Sequence, residues 1–162
     1  MTYNTGTLFS VPSLQLLLGS VNFDQHRFYK DDTAQDIYRS MFYEICASYD
    51  NFDHIYTGGS KMGDRVASAD ICSNMVRSTR LPNNASIFRA ELHAITLVMY
   101  FVRRNRNSNI VLFSDWMSSL EALNGVKFEL DLVQKIIKDY THLTNNGETI
   151  IFCWIPSHVN TP

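Results

Sequence analysis

Apolar residues recur along this chain in two rhythms, a helical one and an alternating or continuous one, and the switches between them mark its elements. Residues 1–30 follow neither. Small polar residues, Pro12 and a leucine cluster at Leu14–Leu18 read as a tail or connecting segment. From Asp32 the pattern changes: Ile37, Met41 and Ile45 recur at helical spacing, and Tyr38, Phe42 and Tyr49 widen the stripe. Thr33 with Asp36 three residues on resembles a capping box, so a helix is expected over 33–48. Three strands are expected next, at 53–58, 65–71 and 74–80, with Ser73 and Asn74 at a hairpin turn. Pro82, Asn83 and Asn84 break the chain before a long helix over 86–103, striped by Ile87, Glu91, Ala94, Ile95, Val98 and Val102. NIVLFS at 109–114 is an apolar run short enough to be a strand buried on both faces. A short helix near 116–123 ends at Asn124-Gly125. A longer one over 129–144 carries Leu130, Val133, Ile136, Ile137, Tyr140 and Leu143, and Asn146-Gly147 turns into a last strand, 149–155, before Pro156.

Three adjoining strands followed by alternating helix and strand predict an α/β fold with a mixed sheet. An antiparallel meander comes first, then parallel strands joined by crossovers, with helices over the faces. At 162 residues one domain is expected. Hydrophobic residues make up 45%, enough for a core, and charged residues 19%, too few for a disordered chain.

The net charge of −2 hides an uneven distribution. Residues 1–60 hold 3 basic and 7 acidic side chains, residues 61–106 hold 8 and 3, and residues 107–162 hold 3 and 6. A basic middle between acidic ends suits an anionic partner docking on one face, or simply a solvated mixed surface. Cys46, Cys72 and Cys153 are far apart, an odd count that fits reduced thiols. The leucine cluster lacks a basic flank for a signal peptide, and no run of about 18 apolar residues exists to span a bilayer. An intracellular protein, cytoplasmic or nuclear, with no membrane partner, is the expectation.

HIYTGGSK, residues 54–61, reads as a strand end running into a tight turn that holds two glycines, Gly58 and Gly59. Glu91 lies on the apolar stripe of its helix, four residues from both Ile87 and Ile95. A carboxylate there must be paired, bind a metal, or sit at the stripe edge and reach solvent. Asp115 directly follows the buried strand, at the carboxyl edge where ligand groups collect, although it or Ser114 can instead cap the following helix. His158, in a loop after the last strand, neighbours Ser157 but has no orienting third group, so a hydrolase triad is rejected.

In order along the chain stand IYTGGSK (55–61), FRAELHAI (88–95), LFSDWMSSLEAL (112–123) and WIPSHV (154–159). With these motifs the chain resembles the type 1 ribonuclease H domain, most closely the version at the end of non-LTR retrotransposon polyproteins. The likeness covers roughly residues 50–162. It divides the chain into an N-terminal tail and linker helix (1–50) and a ribonuclease H-like domain (51–162). The resemblance implies a three-layer fold with a five-stranded mixed sheet. It also implies hydrolysis of the RNA strand of an RNA–DNA hybrid by two Mg²⁺ ions, with Mn²⁺ as an alternative, held about 4 Å apart by four carboxylates.

By position, Glu91 is the second of those carboxylates and Asp115 the third, and His158 matches a mobile-loop histidine that assists proton transfer or product release. Ser60, Lys61 and Arg89 fall at nucleic-acid-contacting positions within the basic section, which also holds Arg65, Arg77, Arg80, Arg103, Arg104 and Arg106. Gly58 stands where the family has its first aspartate, leaving Gly59 for the turn. The fourth carboxylate would follow His158 by about ten residues, so the fold is expected to be truncated before its last helix. That would leave part of one sheet face open for a covering protein partner. As a substitute ligand Asp53 is poor, since five positions before Gly58 it points to the opposite face; of Asp64 and Asp70, in or beyond the turn, Asp70 is the less implausible. With two ligands, metal binding is expected to be weak and the nuclease impaired or inactive. The alternatives are an active nuclease with a non-standard or partner-supplied ligand, a non-catalytic binding module, and a transposon fragment without function.

Overall fold

The computed structural model describes residues 32–106, 108–115 and 131–154. Helix α1 is Asp32–Ser48. The antiparallel strands β1 (Asp53–Met62), β2 (Arg65–Cys72) and β3 (Met75–Leu81) follow, then helix α2 (Ile87–Arg104) and strand β4 (Asn109–Ser114). Helix α3 (Asp131–Asn145) and strand β5 (Thr149–Trp154) complete the described elements. The five strands lie in the order β3-β2-β1-β4-β5, with β1, β2 and β3 antiparallel and β4 parallel to both β1 and β5. This is the mixed sheet and the α/β layering expected. The short helix near 116–123, His158 and the expected absence of a last helix concern residues outside the described ones.

Two packing layers use the alternation of the central strands. Ile55, Ile110, Leu112, Ile150 and Phe152 face α2 and α3, meeting Leu92, Ile95, Val98, Ile136 and Tyr140 in the main core. Val111, Phe113, Ile151 and Cys153 point the other way and meet Phe42 of α1. The apolar run at 110–113 is therefore buried on both faces, which is why it shows no polar alternation. The helix read as a linker lies over β4 and β5: the Phe42 ring is 5.3 Å from that of Phe113 and 6.4 Å from that of Tyr56. On the same sheet face over β2 and β3, Ile71 and Val76 are exposed and no described helix packs against them.

The double glycine is not in a turn. Pairing with β2 carries β1 unbroken from Ile55 to Met62, through Gly58↔Ala69 and Gly59↔Ser68, and the hairpin closes beyond Met62↔Arg65 with Gly63 at φ 60°. Ladder hydrogen bonds to β2 hold the strand straight where glycine's weak strand preference suggested it would end. At the second hairpin, Ser73 takes the first turn position at φ 53°, as the Ser73–Asn74 reading expected.

Candidate metal and nucleic-acid site

The amino end of α2 is built locally. Ser86 is extended (φ −77°, ψ 159°) and its Oγ accepts from the Arg89 N–H at 3.0 Å, capping the helix. The helix then crosses the carboxyl half of β1 so closely that a Cβ on Gly59 would stand 2.9 Å from the Ala90 Cβ and 3.0 Å from the Glu91 nitrogen. Gly59 is there to let helix and strand approach, the role the turn reading misassigned. Gly58 points to the opposite side of the strand, and a Cβ there would meet nothing within 4 Å.

That approach buries Glu91 to 3% exposure, which resolves the choice between a solvent-reaching and a core-facing carboxylate. The Gly59 N–H donates to its carboxylate, while Oε2 is buried with no hydrogen-bond partner among the described residues. Burial pushes the Glu91 carboxyl up to about 7; the Gly59 N–H opposes this and the negative charge of Asp115 adds to it. Asp115 is exposed at the carboxyl end of β4. The β1–β4 ladder ends at Thr57↔Ser114, where the Thr57 hydroxyl also donates to the Phe113 carbonyl at 3.2 Å. Gly58 and Asp115 are therefore the next residues on two adjacent parallel strands. Trp154, the last residue of β5, pairs with Ser114, so β4 and β5 end together here while β1 runs on beside them.

The other acidic residues are engaged elsewhere. Asp70 is fully buried and held by Arg77, whose guanidinium lies 4.1 Å from the Phe101 ring centroid. Asp64 accepts from Asn83 at 3.1 Å in the hairpin turn, and Asp53 sits opposite Ile110 at the far end of β1. Among the described residues no three His, Cys, Asp or Glu side chains gather as a cation site. The orphaned buried oxygen of Glu91, facing the charge of Asp115, nonetheless suits one hard oxygen-seeking cation.

The basic section divides. Ser60 and Lys61 lie just beyond the glycines; Lys61 Nζ donates to the Ala85 carbonyl at 3.2 Å, beside the cap of α2. Arg89, one turn into the helix, forms an exposed two-pronged pair with Asp131 at 3.2 Å on each prong. These three flank the Glu91–Asp115 edge. Arg103 and Arg104 occupy the last turn of α2, 12 and 13 residues beyond Glu91 and so about 18–20 Å away along the helix. Arg77 is only partly exposed, and its charge is taken up by the buried Asp70.

A model of the reverse transcriptase-like family matches residues 58–162. The chain belongs to that family. Its domain is ribonuclease H-like, in keeping with the sheet order and with the motif residues converging on one edge. The comparison with curated proteins gave no match.

Two contributions to this ribonuclease H-like site are hidden in the sequence. The Gly59 N–H serves Glu91, and the Thr57 hydroxyl ties the two strands at the edge. The doubled glycine was the visible signal for the first; a threonine in a strand carries no such signal.

Proposed function

We propose that this ribonuclease H-like domain, of the non-LTR retrotransposon type, holds an RNA–DNA hybrid or other nucleic acid and cuts it weakly or not at all. The observation that carries the reading is Gly58. Beside Asp115, where the family resemblance places a metal-bridging aspartate, there is open space and no side chain. Glu91 and Asp115 would hold a divalent cation, Mg²⁺ or Mn²⁺, which when bound supplies an activated water and stabilises the leaving oxygen. Two carboxylates offset ion dehydration poorly, so occupancy would be low at ordinary Mg²⁺ concentrations.

Binding needs less. Lys61, Arg89 and the Ser60 hydroxyl lie beside the edge and would contact backbone phosphates whether or not the cation is present. By resemblance, His158 would assist proton transfer or product release.

The test is cleavage of a labelled RNA–DNA hybrid in Mg²⁺ and in Mn²⁺, with binding of the same hybrid followed by anisotropy across a salt series. Salt-sensitive binding with little or no cutting is expected. Robust cutting that disappears in Glu91→Gln would overturn the impaired-enzyme reading. Absence of any salt-sensitive binding would overturn the nucleic-acid reading.

A further inference from the structure

Arg89 and Asp131 meet between the amino ends of α2 and α3. Nη1 of the guanidinium donates to Oδ1 of the carboxylate and Nη2 to Oδ2, each at 3.2 Å, so the pair is two-pronged. Both side chains are exposed, Arg89 to 44% and Asp131 to 72%. An exposed ion pair usually gains little, because holding two long side chains together costs entropy. Here one partner is fixed in advance. Asp131 is the first residue of α3. Hydrogen bonds from the Arg89 guanidinium hold its carboxyl below the usual range, helped by the N–H groups of Leu132 and of Asp131 itself. The carboxylate is thus tied to its own helix end, charged at neutral pH, and presented to Arg89.

We infer that Asp131 restrains Arg89: it occupies the guanidinium fork that would grip a phosphodiester, and nucleic acid gains that contact only by displacing the carboxylate. This rests on the nucleic-acid role proposed above. A guanidinium holds a carboxylate and a phosphate with the same fork of parallel N–H groups. The fork of Nη1 and Nη2 is spent on Asp131, whose charge also cancels that of Arg89 at short range. Exchanging one anion for another adds less affinity than a free arginine would, and it releases fewer counterions. Lys61 differs, because its ammonium donates to the neutral Ala85 carbonyl and keeps its charge. The exchange at Arg89 is nonetheless open. When the guanidinium leaves, Asp131 keeps the N–H groups of its helix end, and neither charge is stranded in the interior. Asp70 and Arg77 form the contrasting case: that carboxylate is fully buried, so its cation cannot be given up cheaply. Asp131 acts through Arg89, setting how much this arginine adds to nucleic-acid affinity.

The test is anisotropy of a labelled RNA–DNA hybrid across a salt series, with the full chain and the variants Asp131→Asn, Arg89→Ala and the two combined. Asparagine keeps the shape and suits a helix start as aspartate does, and an unchanged melting temperature shows that the fold is kept. Asp131→Asn is expected to bind about two- to fivefold tighter than the parent at low salt, the reach of an exposed ion pair. Its affinity should also fall more steeply with salt, by about one further phosphate contact. Asp131→Ser, which lacks the charge as well, should do the same. In the Arg89→Ala background the Asp131 change should have little effect, since no guanidinium is left to free. Weaker binding by Asp131→Asn overturns the inference, because Asp131 would then hold Arg89 in its working position. An unchanged affinity overturns it too, as does an equal gain with and without Arg89, which would be bulk charge alone. Absence of salt-sensitive binding by the parent is a different failure: it removes the nucleic-acid role itself, and the restraint with it.

Discussion

Gly59 and Glu91 form one unit across the contact between β1 and α2. The glycine N–H donates to the glutamate carboxylate, and the place where a Gly59 Cβ would stand is 3.1 Å from Glu91 Oε1. The neighbouring glycine has open space around it instead. Two adjacent residues of the same type therefore differ in what a side chain would do at each.

Gly59→Ala should destabilise the domain by about 1–3 kcal/mol, the usual cost of forcing an extra methyl into a packed contact. The added Cβ would press on the Ala90 Cβ and the backbone of Glu91, neither of which is the loose end of a flexible side chain. Gly58→Ala should be neutral or stabilising by about 0.5–1 kcal/mol, because it meets nothing and restricts the unfolded chain. Urea unfolding of the two variants beside the parent checks both signs.

Gly58→Asp should create a third carboxylate on the strand next to Asp115. Without divalent ions the added charge beside Asp115 should lower the melting temperature. With Mg²⁺ or Mn²⁺ it should rise above that of the parent, and ion affinity by calorimetry should increase about tenfold or more. A variant whose melting is insensitive to both ions would show that the space at Gly58 does not open onto Glu91 and Asp115.

The Glu91 carboxyl sets a pH dependence. Its folded value of about 7 lies above the ordinary 4.5, chiefly through burial, so the folded state binds the proton more tightly than the unfolded state. The contribution is fully present below about pH 4.5 and is lost as pH rises through 7, an effect on the order of 3 kcal/mol. Glu91→Gln keeps the shape and removes the titration. It should flatten this part of the stability profile and leave the variant more stable than the parent near pH 8, as denaturant midpoints across pH would reveal.

Arg77 should behave as a core residue. Arg77→Ala leaves the fully buried Asp70 carboxylate uncompensated and strips a cation from the Phe101 ring, and should cost about 3–5 kcal/mol. Asp70→Ala/Arg77→Ala should cost less than the two single changes added together. An Arg77→Ala protein of parental stability but reduced hybrid affinity would return this residue to the phosphate-binding surface.

The periodicities in the sequence carried most of the fold because they are local. The unbroken run at 109–114 gave β4 to the residue, and the stripe from Ile87 to Val102 gave α2 within one residue at each end. The order of elements was enough for the mixed sheet, and the motifs containing Glu91 and Asp115 were enough to place a site at the strand ends. Other features depended on partners distant in sequence. β1 runs four residues past its expected end because β2 supplies hydrogen bonds that outweigh two glycines. Arg77 counted as surface charge until the β2–β3 register set it opposite Asp70. The helix at 33–48 read as a linker because its stripe says that it packs, but not on what.

By itself the sequence determined which residues could form helices and strands, and which motif residues stand in which order, since both follow from side-chain chemistry at short range. Only the tertiary structure decided that Glu91 loses its solvent, that Gly59 must be glycine and that Gly58 leaves a space. Burial and steric contact are properties of surfaces brought together, and those surfaces here come from β1, β4 and α2, which are far apart along the chain.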